Sequence, residues 1–133
     1  MEEATIIRLP KIVEPQSNLT FVEQDSHIPF KIKRVYWIYD VPAGQILDGY
    51  AFKEQRELIV ALSGSVDVVI NNSKSEQHIQ LNSPNYGLYL PNGYWRHMEN
   101  FSANSVVLVL SSSLFNKDDY ICEFEEFLKF VTS

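Results

Sequence analysis

At 133 residues the chain has room for one domain and for no second core of ordinary size. Hydrophobic residues make up 45% of it, with seven tyrosines, eight phenylalanines and two tryptophans, so burial can offset chain entropy and a disordered chain is excluded. A net charge of −6 argues against tracking a nucleic-acid backbone; the single cysteine, Cys122, excludes an internal disulfide and a cysteine-based zinc site, and no apolar run is long enough to cross a membrane.

In chain order, Met1-Glu2-Glu3 is acidic rather than signal-like, and a cytoplasmic protein is expected. Ile6 to Leu9 reads as a short apolar strand closed by Pro10, residues 11–18 as a polar connector around Pro15, and Leu19 to Glu23 as a further strand. The run from Phe30 to Val41 is rich in β-branched and aromatic residues. It alternates, with Ile32, Arg34, Tyr36 and Ile38 on one face and Lys33, Val35, Trp37 and Tyr39 on the other. Pro42-Ala43-Gly44 ends it. Leu58 to Leu62 and Val66 to Ile70 flank the tight connection Ser63-Gly64-Ser65. His78 to Leu81, Tyr86 to Leu90, Tyr94 to Glu99 and Val106 to Leu110 continue the pattern, with Pro91-Asn92-Gly93 as a turn. From Asp118 the period changes. Asp118-Asp119 offers an N-terminal cap, and Ile121, Phe124, Phe127, Leu128 and Val131 recur at helical spacing. One amphipathic helix over about 118–131 is predicted, with Cys122 packed in the core. Many short strands and one terminal helix indicate an all-β barrel or sandwich forming a single domain over 1–133.

The spacing of two motifs selects among barrels. Cupins carry Gly, five residues, His-x-His, three or four residues, Glu, six residues, Gly. Here Gly44 is followed after five residues by Tyr50-Ala51-Phe52, then after four by Glu57 and after six by Gly64. The second cupin motif runs Pro-x-Gly, two residues, His, three residues, Asn; here Pro91-Asn92-Gly93 leads to Arg96 and Asn100. The frame fits a cupin jelly roll, with Tyr50, Phe52 and Arg96 where imidazoles stand. A cupin metal needs neutral imidazoles beside a carboxylate, so Glu57 next to Phe52 and Arg96 predicts no bound metal.

Further stretches carry a family likeness: Lys31-Ile32-Lys33-Arg34-Val35-Tyr36, Ile38-Tyr39-Asp40-Val41-Pro42, Ala61-Leu62-Ser63-Gly64-Ser65, Asn100-Phe101-Ser102, Leu108-Val109-Leu110-Ser111-Ser112 and Asp118-Asp119-Tyr120-Ile121. The chain resembles the WxcM-like, QdtA/FdtA-type sugar 3,4-ketoisomerases of bacterial surface-polysaccharide pathways. The resemblance implies a cupin working without metal or other cofactor, as a homodimer with exchanged N-terminal strands. Its substrate would be a dTDP-linked 4-keto-6-deoxyhexose whose keto group moves from C4 to C3 through an enediol. The family's catalytic stretch reads Arg-Gly-x-His-Ala-His-Lys, and this chain has Leu47-Asp48-Gly49-Tyr50-Ala51-Phe52-Lys53. Ala51 and Lys53 match, whereas the arginine and both histidines are replaced.

An enediol isomerisation needs a base beside the carbonyl and an acid at the neighbouring carbon, tasks that suit histidine. Phe52 can do neither; it can only shape the substrate pocket. Tyr50 can donate a hydrogen bond to an enediolate oxygen, and Glu57 is either a proton carrier or a structural partner of Arg96 or Lys53. His97 follows Arg96, so it faces outward if Arg96 faces inward. Tyr50, Glu57 and His97 are therefore the catalytic candidates. Arg96 reads either as a pocket residue for pyrophosphate or a keto oxygen, or as an ion-pair partner of Glu57. Arg34 is placed as a phosphate contact, Tyr36, Trp37 and Tyr39 as core or as stacking rings for a base, and Lys53 and Asn100 as flanking pocket residues. Two functions follow: a nucleotide-sugar-binding isomerase relative with altered or weak activity, or a non-catalytic binding or regulatory cupin, such as the partner of an active paralogue.

Overall fold

The computed structural model describes residues 2–132. Period-two patterning produces β1 (Thr5–Arg8), β2 (Lys11–Val13), β3 (Asn18–Thr20), β4 (Arg34–Tyr39), β5 (Leu47–Phe52), β6 (Glu57–Ser63), β7 (Val66–Asn71), β8 (Glu76–Leu81), β9 (Tyr86–Leu90), β10 (Trp95–Glu99), β11 (Val106–Ser111) and β12 (Tyr120–Ile121). A short 3-10 turn at Lys117–Asp119 precedes β12, and one helix, α1 (Phe124–Thr132), closes the chain.

Two antiparallel five-stranded sheets, in the orders β1-β9-β6-β11-β4 and β12-β5-β10-β7-β8, make the jelly roll. Their facing sides interdigitate. Ile59, Ala61, Leu88, Leu90, Val107 and Val109 of the first sheet pack against Val66, Val68, Ile70, Leu81 and Met98 of the second. A second cluster (Leu9, Ile28, Phe30, Leu58, Val60, Tyr89 and Leu110) forms outside the first sheet, on the residues that alternate with the inward ones. Outside the second sheet, Phe127 of α1 is completely buried with Ala51 and Ile121, docking the helix at roughly 1.5–3 kcal/mol. Half-buried Trp95 flanks that contact. Gly49 makes room for it, since a Cβ there would lie 2.5 Å from the indole Nε1.

The alternation of β4 holds: Arg34, Tyr36 and Ile38 are half-buried, while Val35, Trp37 and Tyr39 are exposed. The strand is shorter than expected, because Phe30 leaves the sheet direction to pack near Tyr89. Several local expectations are corrected. Residues 11–18 are not a plain connector: β2 and β3 pair as a hairpin. Leu47–Phe52 is a strand that hydropathy alone conceals, since its outward positions are the small residues Gly49 and Ala51. The helix starts at Phe124 rather than at 118. Asp119 does not cap it; its carboxylate accepts from the backbone N–H groups of Glu54 and Gln55 at 2.8 and 3.0 Å, pinning the 3-10 turn to the end of β5. Ile121 pairs with Ala51 in β12, and Cys122 is exposed rather than in the core.

Candidate functional site

The register of β5, β6, β7, β9, β10 and β11 fixes the interior polar cluster. Arg96 of β10 lies opposite both Tyr50 of β5 and Ile70 of β7, and Glu57 of β6 lies opposite Ser111 of β11 and Leu90 of β9. Arg96 and Glu57 reach each other across the space between the sheets in a direct ion pair, with side chains 1% and 0% exposed. Glu57 also accepts from the Tyr36 hydroxyl at 2.5 Å and from Gln55 Nε2 at 2.8 Å. Gln55 Oε1 in turn accepts from Arg34 Nη2 at 3.0 Å. Arg34, Gln55, Glu57, Tyr36 and Arg96 therefore form one continuous network.

Tyr50 and Phe52 point into this same interior. The Arg96 guanidinium sits 5.0 Å from the centroid of each ring, and the two rings meet edge to face at 5.4 Å. Tyr120 completes the aromatic wall, 4.6 Å from Phe52 and 5.6 Å from Tyr50. Among the described residues the remaining Arg96 donors, Nε and Nη2, have no hydrogen-bond acceptor, and the two π faces stand beside them. The opposite end of the interior is apolar, with Ile38, Leu47, Met98 and Phe101 in the core. At the polar end the exposed Phe115 ring lies 5.6 Å from the Arg34 guanidinium.

The electrostatics leave little to move protons. Burial raises the Tyr36 hydroxyl far above the ordinary phenol range, and the neighbouring Glu57 charge pushes the same way. Burial also raises Tyr50, with the Arg96 cation opposing and the Glu57 charge adding to the rise. Burial works against the charge of Arg96, but the Glu57 carboxylate outweighs it and keeps the guanidinium firmly protonated. Both phenols are thus hydrogen-bond donors at neutral pH, and Glu57 is engaged by three donors.

Of the sequence candidates, Arg34, Tyr36, Tyr50, Phe52, Glu57 and Arg96 come together here. Four do not. Tyr39 is 60% exposed on the outer face of β4. Lys53 is exposed just past β5, where its backbone serves the fold, its N–H donating to Asp119 and its carbonyl accepting from Asn92. Asn100 is exposed, adopts φ 56° and donates to Asp67. His97 follows the alternation of β10 onto the outer face and pairs there with Glu99 at 2.7 Å. Trp37 likewise faces out. Sequence reasoning missed Gln55, Phe115 and Tyr120. Gln55 stands two residues before the motif glutamate and Tyr120 lies in a family-like stretch, so both carried a signal, but nothing local marked Phe115. Among the described residues, no group of three or more His, Cys, Asp or Glu side chains converges as a metal site, and no helix is long and apolar enough to cross a membrane.

The comparisons with known proteins agree with this geometry. The family model described as FdtA, WxcM-like, C-terminal, matches residues 2–132. The chain belongs to this family. The TDP-4-oxo-6-deoxy-alpha-D-glucose-3,4-oxoisomerase of Aneurinibacillus thermoaerophilus is 34% identical over 129 residues, covering 97% of this chain and 93% of that protein. The crystal structure of QdtA, a sugar 3,4-ketoisomerase from Thermoanaerobacterium thermosaccharolyticum in complex with TDP, matches at a TM-score of 0.95 and 31% identity over 97% of this chain and 94% of QdtA. A 3,4-ketoisomerase from Helicobacter canadensis matches at a TM-score of 0.95 and 33% identity over 100% of both chains. The WxcM-like family thus supplies the cupin framework, and this member fills its interior with Tyr50 and Phe52.

Proposed function

We propose that this chain binds a TDP-linked 4-keto-6-deoxyhexose inside the barrel and isomerises it weakly or not at all. The observation that carries this reading is the pair of rings at positions 50 and 52, stacked on a fully buried Arg96, in a family frame that otherwise persists. Arg96 is paired with Glu57 and Arg34 bonds the neutral Gln55 side chain, so the network holds two guanidiniums for one carboxylate in a chain of net charge −6. That excess suits a diphosphate or a polarised keto oxygen. Tyr50 supplies a neutral donor able to stabilise an enediolate oxygen, while the Tyr36 hydroxyl is engaged by Glu57. The cluster holds no imidazole, burial raises both phenols, and Glu57 is held by three donors, so proton removal lacks an efficient base. The loss of one general acid or base costs about 10²–10⁴-fold in rate. Its setting would be the cytoplasmic synthesis of surface-polysaccharide sugars.

Calorimetry with TDP checks the binding half directly. Micromolar affinity, falling when Arg96 is replaced by methionine, supports the reading; no binding at millimolar TDP rejects it. A second reading, a purely binding or regulatory subunit alongside an active relative, is favoured by Phe52. That side chain is 0% exposed and seals part of the interior with an apolar ring. TDP binding without any conversion of the keto sugar, together with co-purification of an active relative, would select it.

The chain also works as a homodimer in this account. The outward side of β4 presents Trp37 and Tyr39 at 58% and 60% exposure, and the β2–β3 hairpin leaves Val13 at 71%. A two-stranded hairpin is marginal by itself. Light scattering after Trp37→Glu should find a shift toward monomer, and a monomeric unaltered chain would remove this part.

A further inference from the structure

Arg96 is sealed inside the barrel, its side chain 1% exposed, with two rings over it at 5.0 Å from the guanidinium to each centroid. The two rings differ in freedom. Phe52 is 0% exposed and its backbone carbonyl accepts from the Gly93 N–H, so it is fixed in the fold. Tyr50 is half-buried and stands where the cover on β5 stops, since the pairing of β12 with β5 runs over Phe52 and Ala51. Past that point lies a groove of about 580 Å³ along Asp48, Tyr50, Trp95, Tyr120, Glu123 and Phe124. Tyr50 thus borders both the groove and Arg96. Tyr120 steadies it from the side, its ring 5.6 Å from Tyr50 and 4.6 Å from Phe52.

This arrangement is closed but not saturated. Arg96 keeps Glu57, yet its Nε and Nη2 have no acceptor among the described residues. An oxygen reaching Arg96 would satisfy donors that a π face only partly compensates. Ring contacts hold the cover in place, and each is weak enough to break by itself. A ring leaving Arg96 needs space that a packed interior lacks, and the groove supplies it. No Lys or Arg lines the groove, and Asp48 and Glu123 add carboxylates, so it suits a ring rather than an anion.

We propose that Tyr50 is a gate on Arg96, its ring capping the guanidinium in the free chain and swinging into the groove beside β12 when a ligand oxygen takes its place. Tyr120 is the latch. The gate rests on the reading that a ligand binds inside the barrel, and adds a conformational step before contact with Arg96. The closed fraction lowers the apparent affinity, so loosening the latch tightens binding as well as speeding it.

Trp95 lines the groove, so its fluorescence reports the arrival of the ring. The experiment mixes thymidine diphosphate with the Trp37→Phe chain, which leaves Trp95 as the single tryptophan, in a stopped-flow instrument. The observed rate should level off as ligand rises, at the rate of gate opening. Adding Tyr120→Ala, which deletes two ring contacts to the gate, should raise that limit roughly tenfold and tighten the affinity. Adding Glu123→Phe, an exposed position whose new ring would fill the groove, should lower the limit without disturbing the fold. A rate that climbs linearly with ligand and never levels would overturn the gate while leaving the binding reading intact. So would a limit that neither variant moves by more than about twofold, or binding by calorimetry with no change in Trp95 fluorescence. Failure of the chain to bind thymidine diphosphate would overturn both.

Discussion

Replacing Arg96 by methionine isolates the most consequential contact in the barrel. Methionine fills much of the same volume but removes the cation paired directly with Glu57. Glu57 would keep the Tyr36 and Gln55 donors, at 2.5 and 2.8 Å, yet its charge would sit in an interior where the side chain is 0% exposed. Removing one partner of a buried pair costs about 3–5 kcal/mol, because the other charge is left uncompensated. The contacts of Arg96 over Tyr50 and Phe52, each at 5.0 Å, add a desolvated cation–π contribution of about 2 kcal/mol at most. Some of that contribution overlaps with the first figure, so a total loss of about 3–5 kcal/mol is expected. The double variant Arg96→Met with Glu57→Gln removes both charges. It should lose less than the two single variants together, with a coupling of about 1–3 kcal/mol. Urea unfolding followed by circular dichroism measures all three. A loss below about 1 kcal/mol in Arg96→Met, or strict additivity in the double variant, would refute the idea that this pair organises the interior.

Alkaline titration probes the same cluster from the tyrosine side. Tyr36 and Tyr50 are raised above their ordinary value of about 10 in the folded chain, so the unfolded chain releases those protons first. Their contribution to stability is complete below about pH 10 and declines above it, by up to about 1.4 kcal/mol per pH unit for each group. Tyr89 is also pushed up, to about 12, by burial, so tyrosinate absorbance should find Tyr36 and Tyr50 silent until the chain unfolds with Tyr89 titrating late, and one silent tyrosine fewer in Tyr36→Phe. Ionisation of all seven in a folded chain near pH 10 would contradict this. Asp119→Ala deletes the carboxylate that accepts from the backbone N–H groups of Glu54 and Gln55 and should cost about 2–4 kcal/mol in the same urea assay. A change within about 0.5 kcal/mol would mean that the 3-10 turn is held by other contacts.

Much of this arrangement was legible in the residues because it depends on side-chain alternation and fixed turns. The period-two pattern placed Arg34 and Tyr36 on the inner face of β4, and the spacing of Gly44, Glu57 and Gly64 placed Tyr50 and Phe52 in the interior. The same alternation put His97 outside once Arg96 was inside. What escaped depends on long-range partners. Asp119 has the composition of a helix cap, yet its acceptors are taken by residues 64 and 65 positions away. The β5 strand lacked an apolar outer face because Trp95 and α1 lean on Gly49 and Ala51. Tyr39 and Asn100 sat at plausible spacings, but the first has the wrong parity on β4 and the second lies past the end of β10 in a left-handed turn. Phe115 is held by Arg34 and Tyr120, and no pattern within its own loop announces those contacts.

Proton exchange at C3 of TDP-4-keto-6-deoxyglucose in deuterated water, catalysed by the unaltered chain at saturating ligand, bears most directly on the account. Without imidazoles at positions 50 and 52, exchange should run at least about 10²-fold below an ordinary turnover of about 10 per second, even though the ligand is bound. The double substitution Tyr50→His with Phe52→His should raise that rate. Exchange at an ordinary turnover rate in the unaltered chain would contradict the claim that its interior lacks an efficient base.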